Sequence, residues 1–290
     1  MVFSVSKNSL SGTYFTALHE TKRSTTPKIN ATFVRVWTKL LSLLKFKNRI
    51  ILISKSEIKS ITQLQQKKYR DSRNLFIAEG PKVIKELLTE GMQLHRFFST
   101  EISEVLQNNH THVNPHELKK ISNLKTANTS LAVFEKPAQK QFKDQGLIIA
   151  LDAVRDPGNL GTIIRLCDWY GVRQLLCSQD TTDCYNPKVV QATMGSIARV
   201  SVQYVSLTEV LQKSILPIYG AFMDGTNVYK SVLPKEGIVV MGNEANGISA
   251  EISAIVSEKI SIPQFGTSNT ESLNVATATA ILLSEFKRAY

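Results

Sequence analysis

From residue 147 to the end of the chain, hydrophobic positions follow two alternating patterns. Short apolar runs such as Leu147–Leu151 have the length and composition of buried strands. Between these runs, apolar residues recur three and four positions apart, which predicts helices. The predicted strands are 147–151, 173–178, 200–205, 218–223, 238–241 and 259–262, and the predicted helices are 159–170, 186–197, 207–214, 250–257 and 273–289. This alternation predicts an α/β fold, a mostly parallel sheet with helices on both faces.

The chain before residue 147 predicts a smaller α/β domain at 51–136, followed by a polar linker at 137–146. Its predicted elements are a helix at 54–73, strands at 75–80, 94–99 and 131–134, and helices that begin at Pro81 and near residue 102. Three histidines occur in the segment HTHVNPH, namely His110, His112 and His116. Because Asn114-Pro115 is a turn signal and no cysteine lies nearby, a surface loop is favoured over a metal site, and no metal is expected.

Residues 1–50 differ in composition from the rest of the chain. They are rich in serine, threonine, lysine and arginine, and Glu20 is their only acidic residue. Residues 37–46 predict a short basic amphipathic helix. Two interpretations are open for this basic leader: a transit-like peptide, or a segment that is poorly ordered or non-native.

A formal net charge of +11 and a pI of about 9.5 make a polyanion the expected partner. On this charge, nucleic acid is favoured over a membrane, and a merely basic surface is the alternative. No apolar run approaches the roughly 18 residues of a membrane span. The residues expected to contact RNA are Lys67, Lys68, Arg70, Arg73 and Lys82. A solvated helix face is the alternative for this group. Three cysteines without a CxxC spacing are typical of reduced packing residues, so we expect a cytoplasmic protein.

The region from residue 147 onward lacks the residues of several common active sites. It contains no histidine, which excludes a Ser-His-Asp triad within it, and it has neither a GxGxxG after its first strand nor a P-loop. Three loops remain after predicted strands: 156–161, 242–248 and 262–274. They are rich in glycine, asparagine or other small residues, and Asn159 is expected to cap a helix. Three such loops at one sheet edge predict a polar pocket for an adenosine-like ligand.

Several segments resemble the SpoU (TrmH-type) RNA ribose 2′-O-methyltransferases of the SPOUT superfamily. NLGTIIR at 159–165 fits their N-x-G-x-x-x-R first motif, and VVMGNEANGIS at 239–249 resembles the second. SIP at 261–263 with SLNVATATAI at 272–281 is similar to the third, and the loop QFGTSNTE between them is slightly longer than usual. FIAEGPKVIKELL at 76–88 resembles the family's L30e-like substrate-binding domain.

The resemblance implies a C-terminal domain with a trefoil knot, S-adenosyl-L-methionine as cofactor, and a homodimer. By motif position, the cofactor would contact Gly242, Ile262 and Leu273. The reaction centre would be lined by Asn159, Arg165, Glu244, Ser272 and Asn274. Arg165 would grip a phosphate and stabilise oxyanion character, while partial deprotonation of the hydroxyl and a structural ion pair with Glu244 are its alternative roles.

The expected activity is methylation of a ribose 2′-hydroxyl in structured RNA, and ribosomal RNA is favoured over transfer RNA. A relative that binds RNA without catalysis is one alternative, and titration with S-adenosyl-L-methionine would separate the two. A small-molecule methyltransferase fits the basic charge poorly, but a failure to bind RNA at low salt would favour it.

Overall fold

Two β-sheets organise the part of the chain that the computed structural model describes, which comprises residues 52–101, 110–266 and 272–288. The leader at 1–50, with its predicted helix, and the helix expected near residue 102 lie outside these described residues. Within them, no helix is long and apolar enough to cross a membrane.

The first sheet has four strands, all from the region before residue 147. Its strands are β1 (Leu75–Glu79), β2 (Leu94–Ser99), β3 (His110–His112) and β4 (Ser130–Glu135), in the order β1-β4-β2-β3. The helices of this region are α1 (Lys55–Gln63), α2 (Lys67–Arg73), α3 (Pro81–Thr89) and α4 (Pro115–Ile121). Strand β4 pairs antiparallel with β1 and β2, whereas β3 pairs parallel with β2.

The histidine-rich segment is not the surface loop that the sequence predicted. His110–His112 form strand β3, and His116 lies in helix α4. The Asn114-Pro115 pair starts that helix: the Asn114 side chain accepts a hydrogen bond from the Glu117 amide at 2.9 Å. Among the described residues, no group of three or more histidine, cysteine or acidic side chains could hold a metal ion.

The second sheet has six strands in the order β10-β8-β9-β5-β6-β7, and all of its neighbouring strands run parallel. The strands are β5 (Leu147–Leu151), β6 (Gln174–Cys177), β7 (Ser201–Tyr204), β8 (Ile218–Asn227), β9 (Gly237–Met241) and β10 (Glu258–Ser261). The helices are α5 (Pro157–Trp169), α6 (Pro187–Thr193), α7 (Leu207–Lys213), α8 (Ala250–Ser253) and α9 (Val275–Lys287). The predicted parallel sheet is confirmed, and the trefoil knot stays a prediction.

Alternate residues of the central strand β5 belong to two separate hydrophobic cores. Ile149 and Leu151 pack in a cluster with residues of α5, α6 and α9. Ile148 and Ala150 join a second cluster with residues of α7 and α8. All four side chains are fully buried. Helices therefore cover both faces of the sheet, as the sequence predicted.

Several predicted helices are shorter in the structure. The helix expected at 54–73 is divided into α1 and α2 by three turn residues. The helix expected at 186–197 is α6, which ends at Thr193. It ends there because Met194 and Gly195 have φ angles of 53° and 99°, in the left-handed region. The helix expected at 250–257 is the single turn α8.

The first sheet packs against the region around α6. The ring of Tyr185, just before α6, lies against Phe76 of β1, with ring centroids 4.9 Å apart. Arg199, after α6, forms ion pairs with Asp168 of α5 at 2.9 Å and Glu86 of α3 at 3.1 Å. These contacts join both sheets in one compact unit, to which all of the described residues belong.

Arg70 is buried and is not available to RNA, so its predicted role is wrong. Its side chain is 2% exposed, and its Nε and Nη2 donate hydrogen bonds to Oδ2 of Asp183 at 2.9 and 2.5 Å. Its Nη1 donates to the carbonyl oxygens of Leu64 and Gln65. A carboxylate and two carbonyls thus take the place that phosphate oxygens would occupy, because a buried guanidinium needs such partners.

Candidate active site

The three predicted loops meet at Asn159, near the start of α5. Its Nδ2 donates a hydrogen bond to Oε1 of Glu244, in the loop after β9, at 2.8 Å. Its Oδ1 accepts one from Nδ2 of Asn274, immediately before α9, at 2.9 Å. One amide side chain therefore joins three segments that are far apart in sequence. The predicted convergence of the loops is confirmed.

Helix caps hold Asn159 and Asn274 in place. Oδ1 of Asn274 accepts hydrogen bonds from the amides of residues 276–277 at 3.0 and 3.2 Å, which leaves its Nδ2 to reach Asn159. The cap of α5 is Asp156, whose Oδ1 accepts a hydrogen bond from the Asn159 amide at 2.8 Å. The prediction that Asn159 is this cap is wrong, because Pro157 already occupies the first helical position. The Asn159 side chain is therefore not used as a cap and contacts Glu244 and Asn274 instead.

A cavity of about 560 Å³ opens beside Glu244, within the range of about 300–1,000 Å³ that is typical of small-molecule sites. Five predicted site residues line it: Gly242, Glu244, Ile262, Ser272 and Leu273. Apolar residues of the neighbouring strands and of α9 form much of the remaining wall: Ala221, Phe222, Met223, Met241, Ile260, Val275, Ala278 and Leu282. Of the described lining residues, Glu244 alone is charged.

Gly242 lies where the wall of the cavity leaves no room for a side chain. Asn243 and Gly247 exchange two backbone hydrogen bonds of 2.9 Å, which closes the loop between them. A Cβ atom on Gly242 would lie 2.2 Å from the carbonyl carbon of Gly247. The backbone itself therefore forms this part of the wall, where a ligand can approach it closely.

Asn243 is a site residue that the sequence analysis did not single out. Its Nδ2 donates to the Ala153 carbonyl at 2.7 Å, and its Oδ1 accepts from the Ala245 amide at 2.9 Å. Ala153 has a φ of 57°, which is uncommon for a residue with a Cβ. The adjacent Asp152 accepts a hydrogen bond from the Ser249 amide at 2.7 Å. These bonds fasten the loop after β9 to the end of β5. In the sequence, Asn243 is only an asparagine in a glycine-containing loop, and nothing there indicates its contact with Ala153.

A break in the pairing of β8 with β10 shapes another wall of the cavity. Lys259 of β10 pairs with Gly220, but the next residue, Ile260, pairs with Thr226. Residues 221–225 therefore have no partner in β10, and the first three of them line the cavity.

Arg165 lies on the exposed side of α5 and does not line the cavity. No hydrogen bond or ion pair joins its side chain to another described residue. The alternative in which Arg165 pairs with Glu244 is wrong, since no ion pair or hydrogen bond joins these two described side chains. The guanidinium is available to bind an external anion.

The remaining predicted RNA contacts are all exposed: Lys67, Lys68, Arg73 and Lys82. The Lys67 ammonium lies 5.8 Å from the ring centroid of Tyr204, and the Arg73 guanidinium donates to the Ser60 carbonyl at 2.8 Å. Their exposure is compatible with contacts to RNA phosphates, and this role stays a prediction.

The three cysteines are buried as free thiols. Burial, together with the charge of Asp183, raises the pKa of Cys184 to about 12. Burial likewise raises the pKa values of Cys167 and Cys177. Thiols of this kind stay protonated at neutral pH, so they are packing residues and not nucleophiles.

Comparison with known proteins identifies two families along the chain. The SpoU rRNA methylase family matches residues 146–284, and the MRM3-like substrate binding domain matches residues 55–144. The chain is 26% identical over 236 residues to a 23S rRNA guanosine 2′-O-methyltransferase of Bacillus subtilis, and the match covers 78% of this chain and 94% of the relative.

Solved structures give the same result. A protein of Porphyromonas gingivalis, assigned to the TrmH family of RNA methyltransferases, is 36% identical with a TM-score of 0.76, over 83% of this chain and 100% of the other. An rRNA methyltransferase from Sinorhizobium meliloti with bound S-adenosylmethionine is 28% identical with a TM-score of 0.75, over 83% and 98% of the two chains. The chain belongs to the SpoU family of RNA 2′-O-methyltransferases. The enzyme class and the cofactor expected from the sequence are confirmed.

The residues of the cavity fit S-adenosyl-L-methionine. The wall at Gly242 is bare backbone, which can bond to an adenosine or amino-acid group. The apolar wall suits a nucleobase, and the negative charge of Glu244 suits a cationic ligand.

Proposed function

We propose that this protein methylates a ribose 2′-hydroxyl of ribosomal RNA. The observation that carries the proposal is the junction at Asn159, whose amide binds Glu244 at 2.8 Å and Asn274 at 2.9 Å beside the cavity. S-Adenosyl-L-methionine supplies an activated methyl group when it is bound. The protein therefore has to bind the RNA and to orient one hydroxyl toward that group.

The residues around the cavity divide this task between them. Gly242, Ile262 and Leu273 hold the cofactor, because they line the cavity where backbone and apolar groups are exposed to it. Glu244 and Ser272 line the same cavity with oxygen atoms that can orient a ribose. Asn159 and Asn274, bonded to each other, complete the polar side of the site.

Arg165 acts on the charge that develops during transfer. A ribose hydroxyl is a weak nucleophile until its proton is shared or its negative charge is stabilised. A guanidinium has a pKa above about 12, so we assign Arg165 the second role, together with binding of the adjacent phosphate. Its exposed position on α5 and the absence of a partner among the described residues support this assignment.

Ribosomal RNA is the proposed substrate. The Bacillus subtilis relative, which the chain matches over 94% of its length, is a 23S rRNA enzyme. The net charge of +11 favours a polyanion, and the exposed lysines at the start of α2 lie in the region that matches a substrate-binding domain.

We also propose that the protein is a homodimer in the cytoplasm. Trp169 at the end of α5 is 84% exposed, and a partner subunit would cover this large apolar side chain. Sedimentation velocity tests the assembly: a dimer is expected, and a monomer at micromolar concentration would contradict it. Three buried, free thiols are compatible with a reducing compartment.

Methyl transfer from labelled S-adenosyl-L-methionine tests the activity. The acceptors are unmodified transcripts that tile a 23S-type rRNA, with tRNA transcripts as a comparison. We expect label in one rRNA segment, and alkali should release a labelled dinucleotide, since a 2′-O-methyl group blocks cleavage at that position. Label in tRNA alone would contradict the proposed substrate. Cofactor binding without transfer to any RNA would favour the non-catalytic alternative.

A further inference from the structure

Two exposed aromatic side chains lie beside the cofactor cavity. Phe265 is 85% exposed, and Tyr229, in the short helix Val228–Lys230 after β8, is 37% exposed. Their ring centroids are 6.5 Å apart and their planes are inclined by only 21°. Gln264 and Gly266, on either side of Phe265, both line the cavity. The pair therefore lies at the rim of the cavity.

Phe265 does not contribute to the core of the fold. An exposed ring is not removed from water, so it gains little from the hydrophobic effect. Its partner is anchored, because Val228, next to Tyr229, is fully buried. The two rings are nearly parallel and Phe265 is the more exposed, so one face of its ring is open to solvent.

The position of the Phe265 ring at the rim of the cavity limits which molecules can pack against it. A 2′-hydroxyl that reaches the cavity brings its own base and the neighbouring bases to the rim. Unpaired bases stack on aromatic side chains, and such stacking does not depend on base identity. Lys230, beside Tyr229, is exposed and has no partner among the described residues, so it can bind a phosphate of the same strand.

We propose that Phe265, supported by Tyr229, stacks on an unpaired base of the RNA and thereby positions the target ribose over the cavity. This inference rests on the proposed RNA methylation, and it adds the requirement that the target lies in a single-stranded or opened segment. Phe265 is a positioning residue, since it lines neither the cofactor cavity nor the junction at Asn159.

Three substitutions of Phe265 separate stacking from hydrophobic contact. Phe265→Ala removes the ring, Phe265→Leu keeps an apolar side chain, and Phe265→Trp keeps an aromatic face. We expect the alanine and leucine variants to raise KM for the rRNA transcript about fivefold to a hundredfold. The tryptophan variant should stay within about threefold of wild type. All three should bind S-adenosyl-L-methionine as wild type does. A leucine variant with wild-type KM would overturn the proposal.

Ile215→Ala is the matched control. Ile215 is 87% exposed and lies just before β8, at the end of the strand opposite the cavity. Its loss should leave KM for RNA unchanged. Sedimentation velocity on Phe265→Ala tests whether a second copy of the chain, and not RNA, covers this surface. If the substitution changes the assembly state, Phe265 contacts a second copy of the chain and the proposal is wrong.

An abasic RNA provides a direct test of the stack. The nucleotide that the wild-type enzyme methylates is mapped first. Three RNAs are then made, each with one abasic residue, at the methylated nucleotide or at one of its two neighbours. At one of the three positions, the missing base should raise KM for wild type but not for Phe265→Ala. If the missing base raises KM equally for wild type and for Phe265→Ala at every position, Phe265 does not stack on a base and the proposal is wrong. If wild type binds the cofactor but methylates no RNA, the proposed function fails as well; if wild type is active and Phe265→Ala matches it, only this inference fails.

Discussion

The side chain of Asn159 uses its donor and its acceptor on two different loops. Nδ2 binds Glu244 and Oδ1 binds Asn274, so an aspartate would lose the donor and place two carboxylates side by side. The sequence motifs identified these three residues, and the position of their loops after strands of one sheet predicted that the loops converge. It could not reveal the hydrogen bonds between them, nor the role of Asn243, because those depend on contacts between distant segments.

Replacement of Arg165 by lysine tests the role of the guanidinium. Lysine keeps the charge but lacks the planar fork that binds a phosphate through two parallel hydrogen bonds. We expect the single-turnover rate of methyl transfer to fall roughly 100- to 1,000-fold. Cofactor affinity should not change, since Arg165 does not line the cavity. Arg173→Lys, an exposed position after α5, is the control. Transfer at the wild-type rate would mean that neither proposed role of the guanidinium is needed.

Replacement of Asn243 by aspartate tests how the β9 loop is held. Aspartate keeps an acceptor for the Ala245 amide but turns an oxygen toward the Ala153 carbonyl in place of the donor. We expect the Kd for S-adenosyl-L-methionine to rise about 10- to 100-fold, because the partly buried Ala153 carbonyl loses its donor and the β9 loop is no longer held to it. Asn246→Asp, in the same loop, makes the same change of charge at an exposed position and should bind normally. Normal binding by Asn243→Asp would show that the bond to Ala153 does not shape the cavity.

Among the secondary-structure elements, the pattern of hydrophobic and polar residues predicted the six strands of the second sheet but not the residue at which β8 ends. The sequence placed that end at Met223, where apolar residues stop, whereas β8 continues to Asn227. It continues because Thr226 and Asn227 pair with Ile260 and Ser261 of β10. Gly225 permits this pairing, since a Cβ there would be 2.5 Å from the carbonyl carbon of Ile260. Such a close approach depends on a partner strand more than thirty residues later, which local pattern cannot reveal.

The contact between α2 and the loop before α6 depends on a buried ion pair. Arg70→Met should lower the free energy of unfolding by about 3–5 kcal/mol, because the carboxylate of Asp183, whose side chain is only 10% exposed, would lose its cationic partner. The double variant Arg70→Met/Asp183→Asn should recover part of this loss. Urea unfolding measures both, with Arg73→Met as the exposed control, for which a change below about 1 kcal/mol is expected. A single variant as stable as wild type would contradict this account of Arg70.

At the scale of the whole molecule, the net charge of +11 predicts RNA binding that weakens strongly with salt. Lys68→Gln and Lys82→Gln should each reduce the slope of log K against log salt by about 1. Lys213→Gln, exposed at the end of α7, should leave that slope unchanged. Fluorescence anisotropy across a salt series measures the three slopes. Equal slopes for all three variants would place the RNA elsewhere on the surface.

The loops joined by Asn159 are expected to bind S-adenosyl-L-methionine in the cavity beside them. Isothermal titration calorimetry measures this binding in wild type and in Gly242→Val, whose side chain would enter the space of the Gly247 backbone. We expect one cofactor per wild-type chain and no detectable binding to a Gly242→Val protein that still unfolds cooperatively. A wild-type protein that does not bind the cofactor, or a valine variant that binds it equally well, would show that these loops do not form the cofactor site.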